Sequence, residues 1–287
     1  MVADRLPARR RLSHRSTQLQ VVRVVGLVAA VAAGFLAAQG EQWWGLAAFA
    51  VVLALTWIGG AAYFRSAERR HDRELEQHWQ ALATSRGWRF EREYEPVEES
   101  LRTMLLGQGA YVRSEGAPYR LRGSDRAGES APGTPARRGV EVHLCLVRPP
   151  RMLLWGELPQ RCTLIVLQTH QTVPAMGFGT HGRLFNERPE PLRDVPHERD
   201  PQTGYWIAGP AGEADRVREA FAPAIARTGR QQLRMVADGP RLGLVVHREL
   251  TTAEISDWVV VLHQVADNLG QDPAAGSWNG EDSTPVR

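Results

Sequence analysis

Hydrophobicity along this chain comes in two blocks and then changes period. Val21–Ala38 runs 18 residues with Arg23 as its one charge, and Trp43–Phe64 runs 22 residues with none. An α-helix rises about 1.5 Å per residue, so the second block spans the roughly 30 Å core of a bilayer and the first nearly does. Gln39, Gly40, Glu41 and Gln42 separate them, which predicts a tight transmembrane hairpin. Gly26, Ala30, Gly34 and Ala38 recur at every fourth position of the first span, as Ala50 and Ala54 do in the second. Small residues at that spacing let helix backbones approach closely, within the hairpin or between copies.

Beyond Phe64 the pattern is that of a folded domain. Residues 65–86 read as a juxtamembrane helix ending at Gly87, with Leu75, Trp79 and Leu82 as a short apolar stripe facing the domain. Trp88–Arg92 predicts a strand and Val97–Leu106 a short helix. The segment 114–139, rich in Gly, Pro, Ser and Arg, reads as a flexible loop interrupted at most by a strand near Tyr119–Arg122. Val140–Arg148 and Cys162–His170 are β-branched, apolar runs and predict strands. Gln171–Thr203, with five prolines, reads as loop. Tyr205–Ala208 predicts a strand and Glu213–Thr228 a helix that Pro223 kinks or splits. Gln231–Ala237 and Arg241–Arg248 predict a hairpin across Asp238-Gly-Pro240. Thr251 and Glu254 form a capping box for a last helix to Gly270, whose apolar face is Ile255, Trp258, Val259, Leu262, Val265, Ala266 and Leu269. The order lacks βαβα alternation, so the expected class is α+β with a mostly antiparallel sheet over 87–270, as one core or two lobes. Basic residues 1–20 precede it all, and 271–287 read as a disordered tail.

Charge then sets orientation. Arg5, Arg9, Arg10, Arg11 and Arg15 precede the first span; Arg65, Arg69, Arg70 and Arg73 follow the second; the intervening loop has no base. The positive-inside rule places both termini in the cytoplasm of a cell whose plasma membrane the hairpin crosses. Trp43 and Trp44 fall at the outer interface, and Arg65, Arg69 and Arg73 share a helix face at the inner one. A cleaved signal peptide ending near Ala38 is the competing reading, and it would leave the second span as an anchor. The pI near 9.2 invites a nucleic-acid partner until the charges are located. Residues 1–73 carry 10 Arg against 4 acids, while 74–287 carry 25 Arg against 28 acids. The basic surplus therefore belongs beside anionic lipid, and no nucleic acid is expected.

All 35 basic residues are arginine. Chemistries that depend on one particular lysine, from Walker-A phosphate loops to Schiff bases, are excluded. Cys145 and Cys162 fall in strands and read as buried thiols, too few for a Cys₄ metal centre. Gly177-Phe-Gly-Thr-His-Gly182 matches G-x-G-x-x-G, but Pro174 before it and Pro189 and Pro191 after it deny it the strand-to-helix setting, so a surface loop is expected. His170 and His181, with Arg183 or His143, are the candidates for a small anion or metal site around that loop; no catalytic residue and no cofactor is assigned. Trp206 and Trp258 read as packing residues, and Val260 as the one apolar residue on the outer side of the last helix.

The two spans, the Arg86-Gly-Trp88 step after an arginine-rich helix, and the segment Gly182–Leu192 ahead of the closing strand, helix, hairpin and helix also carry a resemblance. Over roughly 20–270 the chain resembles uncharacterised membrane-anchored proteins of high-GC Gram-positive bacteria. That resemblance implies location and architecture and brings no activity; residues 124–138 look like a local addition to it. The expected function is a non-enzymatic, membrane-tethered interaction module that meets the lipid bilayer and a protein partner or itself. A membrane-bound enzyme with its site near 177–183 is the alternative. Transport is weaker, because two spans without intramembrane acids form no pathway unless they oligomerise.

Overall fold

The structure, a computed structural model, describes residues 66, 69–92, 98–106, 113–114, 119–125, 138–148, 160–180, 189–229 and 231–270. The hairpin spans, both terminal tails, Trp43, Trp44, Arg65, His181 and Arg183 lie outside them. Among the described residues no helix is long and apolar enough to cross a membrane. The chain divides into two compact units, Met1–Gln77 and His78–Arg287. Of the first, the described part is almost wholly the beginning of helix α1, residues 69–86, on which Arg69 and Arg73 are exposed.

α1 ends as the sequence predicts. Gly87 takes φ +66°, which a side chain would oppose, and Trp88 N donates to Ala83 O at 2.8 Å. Trp79 and Leu82 are buried, and the Trp79 ring lies 6.2 Å from that of Tyr119. The remaining helices are α2 (Glu99–Leu106), α3 (Ala214–Ala220), α4 (Ala222–Thr228) and α5 (Thr252–Gly270). Pro223 does split the Glu213–Thr228 segment, leaving Phe221 at the joint between α3 and α4. The capping box on α5 is formed: Glu254 N donates to Thr251 Oγ1 at 3.2 Å and Thr251 N to Glu254 Oε2 at 3.0 Å. Every residue of the apolar face expected for α5 is buried.

Among the described residues eight strands form one antiparallel sheet: β1 (Arg89–Glu91), β2 (Arg113–Ser114), β3 (Tyr119–Asp125), β4 (Arg138–Arg148), β5 (Gln160–Gly179), β6 (His197–Arg199), β7 (Trp206–Ala208) and β8 (Leu233–Val246). The path is β1-β3-β4-β5-β7-β6, with β2 on β4 and β8 on β5. β5 pairs with β8 in two stretches, Thr163–Gln168 against Arg241–Val246 and Val173–Gly179 against Arg234–Gly239, both antiparallel. β8 is the expected hairpin. His247 N donates to Gln232 O at 3.0 Å across its ends, and the fold-back centres on Gly239-Pro240, where Gly239 takes φ +55°. β5 therefore bends over the tip of that hairpin at Thr169–Thr172, where Thr169 Oγ1 donates to Gln171 O.

Cross-strand partners share a face of a sheet, so the register sorts the core. One face carries Leu164, Val166, Val236, Val245 and Ala208, covered by Leu101, Met104 and Leu105 of α2 and by Leu192 of a 3-10 turn (Glu190–Leu192). The other carries Val142, Ile165, Leu244, Met235, Phe178 and Ile207, all buried. Phe178 meets Phe221 edge-on at 5.6 Å, which fixes the α3–α4 joint on that face.

Within 114–139, the strand expected near Tyr119–Arg122 is present and runs on to Asp125, paired along its length with β4. The loop reading of 171–203 is corrected. Within 171–203, the strand β5 continues to Gly179 through Pro174 and Pro189 opens the 3-10 turn, while His197–Arg199 adds β6. Pro174 lies in the stretch between Val173 and Met176 where the register with β8 shifts, a place that tolerates a missing N–H.

Candidate functional site

The first three residues of the G-x-G-x-x-G match do not form a loop. Gly177, Phe178 and Gly179 pair with Ala208, Ile207 and Trp206 on one side and with Val236, Met235 and Arg234 on the other. Their backbone polar groups point into neighbouring strands and present no phosphate cradle. Glycine is used there for close approach. A Cβ on Gly177 would strike the Met235 carbonyl oxygen, and one on Gly179 would lie 2.6 Å from the Trp206 ring. His170 lies within β5 between the two β8 ladders, whereas His143 pairs with Leu164, six residues back along the strand. From Leu164 to Gln168 the strand runs roughly 13 Å at about 3.3 Å per residue before the bend that holds His170, so His143 and His170 do not meet. Among the described residues no group of His, Cys, Asp and Glu could hold a metal ion.

The register instead gathers charge on the outer strands. On the α2 face, β1 presents Arg89 and Glu91, β3 presents Arg120 and Arg122, and β4 presents Glu141 and His143. Each pair is separated by one apolar residue, Phe90, Leu121 or Val142, that points to the opposite face. Arg120 binds Glu91 Oε2 through Nε at 2.8 Å and Nη2 at 2.5 Å. Arg89 Nε approaches Glu91 Oε1 at 3.1 Å. Arg122 Nε donates to Glu141 Oε1 at 2.9 Å, and His143 Nε2 lies 3.3 Å from Glu141 Oε2.

This ladder is graded in exposure. Arg89 is 80% exposed and Arg122 52%, whereas His143 is 3% exposed and its Nδ1 has no hydrogen-bond partner among the described residues. The His143 hydrogen bond, joined by the Arg122 guanidinium, overcomes burial and brings the Glu141 carboxyl down to about 2. The Arg120 hydrogen bond lowers Glu91 in the same way. Arg89 and Arg122 are direct cross-strand partners. Like charges so placed oppose pairing, and their shared carboxylate neighbours offset only part of that. Three guanidiniums against two carboxylates leave the ladder positive on a domain, residues 87–270, whose 23 Arg and 23 acids balance.

Of these residues the sequence points to His143 alone, as a neighbour of the 177–183 loop; His181 and Arg183 lie outside the described residues, and His143 here lies beside Glu141. The signal is present as three short alternations, Arg89-Phe-Glu91, Arg120-Leu-Arg122 and Glu141-Val-His143. Each reads as an ordinary half-polar strand until register places all three side by side.

A depression lies between Thr172–Met176, α3 and the end of α5, with Val173, Met176 and Val217 among its lining residues. Its charged residues, Glu213 and Arg216, are paired with each other at 3.1 Å. His247, the histidine that burial pushes down to about 4, does not line it. Cys145 and Cys162 are free, buried cross-strand partners, and burial pushes the Cys145 thiol up to about 12.

No protein-family model matches this chain, and no curated protein matches it either. Among solved structures, the crystal structure of the mycobacterial trehalose monomycolate transport factor A, TtfA, is a distant neighbour. It shares 13% identity at a TM-score of 0.44, over 69% of this chain and 95% of that one.

Proposed function

We propose that this chain is an integral membrane protein whose cytoplasmic α+β domain is a non-enzymatic interaction module, binding a protein partner or a second copy. The observation that carries the reading is the uncharged 22-residue run Trp43–Phe64 beside Val21–Ala38, with arginines outside both and none between. Among the described residues Val260 is the one large exposed hydrophobic, so the domain surface available to a partner is polar and charged. Its distinctive surface is the charged ladder on β1, β3 and β4. The test is chemical crosslinking in intact membranes followed by mass spectrometry of co-purified proteins. A reproducible partner or self-crosslink is expected; recovery of neither, at a crosslinking yield proven on a known complex, overturns the reading.

A further inference from the structure

We infer that Arg89 and Arg122 form a two-guanidinium receptor for carboxylate side chains of an acidic segment of a protein partner, laid along strand β1. This rests on the interaction-module reading and names the chemistry of the partner. Four observations converge on it. First, the two arginines are direct cross-strand partners, which sets their Cβ atoms about 5 Å apart on one face. Second, each spends its Nε on a carboxylate, Glu91 or Glu141, while most of the side chain stays in solvent. A guanidinium has five N–H donors, so both forks keep terminal donors for a further anion. Third, two like charges stand directly opposite each other, an arrangement that disfavours pairing and that a bridging carboxylate would relieve. Fourth, β1 is the first strand of the sheet path and, among the described residues, pairs with β3 alone.

An extended peptide added beside β1 would present alternate side chains to the face that holds Arg89. Acidic residues at a period of two then meet the arginines, and the residues between them lie beside Phe90 on the opposite face. A second copy paired antiparallel through β1 would set Arg89 opposite Glu91, a carboxylate that Arg120 already binds, so a segment bringing unpaired carboxylates suits the two arginines better. His143 and Glu141 act beneath the receptor: they hold Arg122 in place through the Glu141 carboxylate.

The experiment uses the full chain in nanodiscs of neutral phosphatidylcholine and a fluorescent peptide of alternating Glu and Val. Wild type is expected to bind it, with affinity falling at least about tenfold in Arg89→Gln/Arg122→Gln, the loss of one charge-assisted contact or more. Arg193→Gln, at an exposed arginine of the 3-10 turn region, is expected to bind as wild type does. An equal fall in the Arg193 variant, or none in the double variant, would mean diffuse attraction and would overturn the receptor. Absence of peptide binding together with Arg89- and Arg122-dependent binding of phosphatidylglycerol vesicles would also overturn it, transferring the site to lipid headgroups. Either failure leaves the crosslinking result standing on its own, so the partner chemistry and the interaction module fail separately.

Discussion

Arg234 and His247 show how single polar residues are made tolerable inside this domain. Arg234 is 1% exposed; its Nη1 donates to Leu105 O at 3.1 Å, and its guanidinium lies 5.8 Å from the centre of the Trp206 ring. A cation at the last turn of α2 meets the carbonyl end of the helix dipole, which offsets part of its desolvation. His247, whose Nδ1 lies 3.2 Å from Gln232 Oε1, is held neutral instead: burial brings it down to about 4 from an ordinary 6.5. The unfolded chain binds a proton as pH falls through 6.5, whereas the folded chain does not until about 4. Stability from this residue is therefore complete above pH 6.5 and is lost across the interval from 6.5 to 4 on acidification. Glu141 works in the same direction only below its ordinary 4.5, so pH 5 isolates the histidine. Urea midpoints measured at pH 7 and pH 5 should fall more in wild type than in His247→Gln. An equal fall in both would contradict the assignment.

Strand pairing is the scale at which the most information was hidden. The close packing at Gly177 makes a sharp case. Gly177→Ala drives a methyl into the Met235 carbonyl and toward Leu192 Cδ1, at 3.2 Å, and should cost about 1–3 kcal/mol by overpacking. Gly243→Ala meets the end of a movable leucine, Leu105, and should cost less. Thermal unfolding of the two variants ranks them; the reverse order would mean that the β5–β8 seam yields more readily than α2 does. The helices were legible because each carries its own signals: the capping box of Thr251 and Glu254, the Gly87 stop and the Pro223 break are local chemistry. The Asp238-Gly-Pro240 turn was legible for the same reason. The bend in β5 was not, because Thr169–Val173 carries no turn residues and the path follows from the hairpin it wraps around. The charged ladder stayed hidden for a related reason. Its members come from strands separated by as many as 54 positions, and only antiparallel register makes Arg89, Arg122 and Glu141 neighbours.

At the scale of the whole molecule, charge is partitioned by location. The arginines that raise the pI flank the two apolar runs, while residues 74–287 carry three more acids than bases. Within that stretch residues 87–270 carry 23 Arg against 23 acids, so a positive ladder there is a local feature that selects anions. The central claim is that the hairpin tethers this domain at the cytoplasmic face, and labelling of an engineered tail cysteine, Ser283→Cys, with a membrane-impermeant maleimide tests it most directly. Native Cys145 and Cys162 are buried and contribute little background while the domain is folded. The account predicts no labelling in intact cells and full labelling after permeabilisation. Labelling in intact cells would place the domain outside and contradict it.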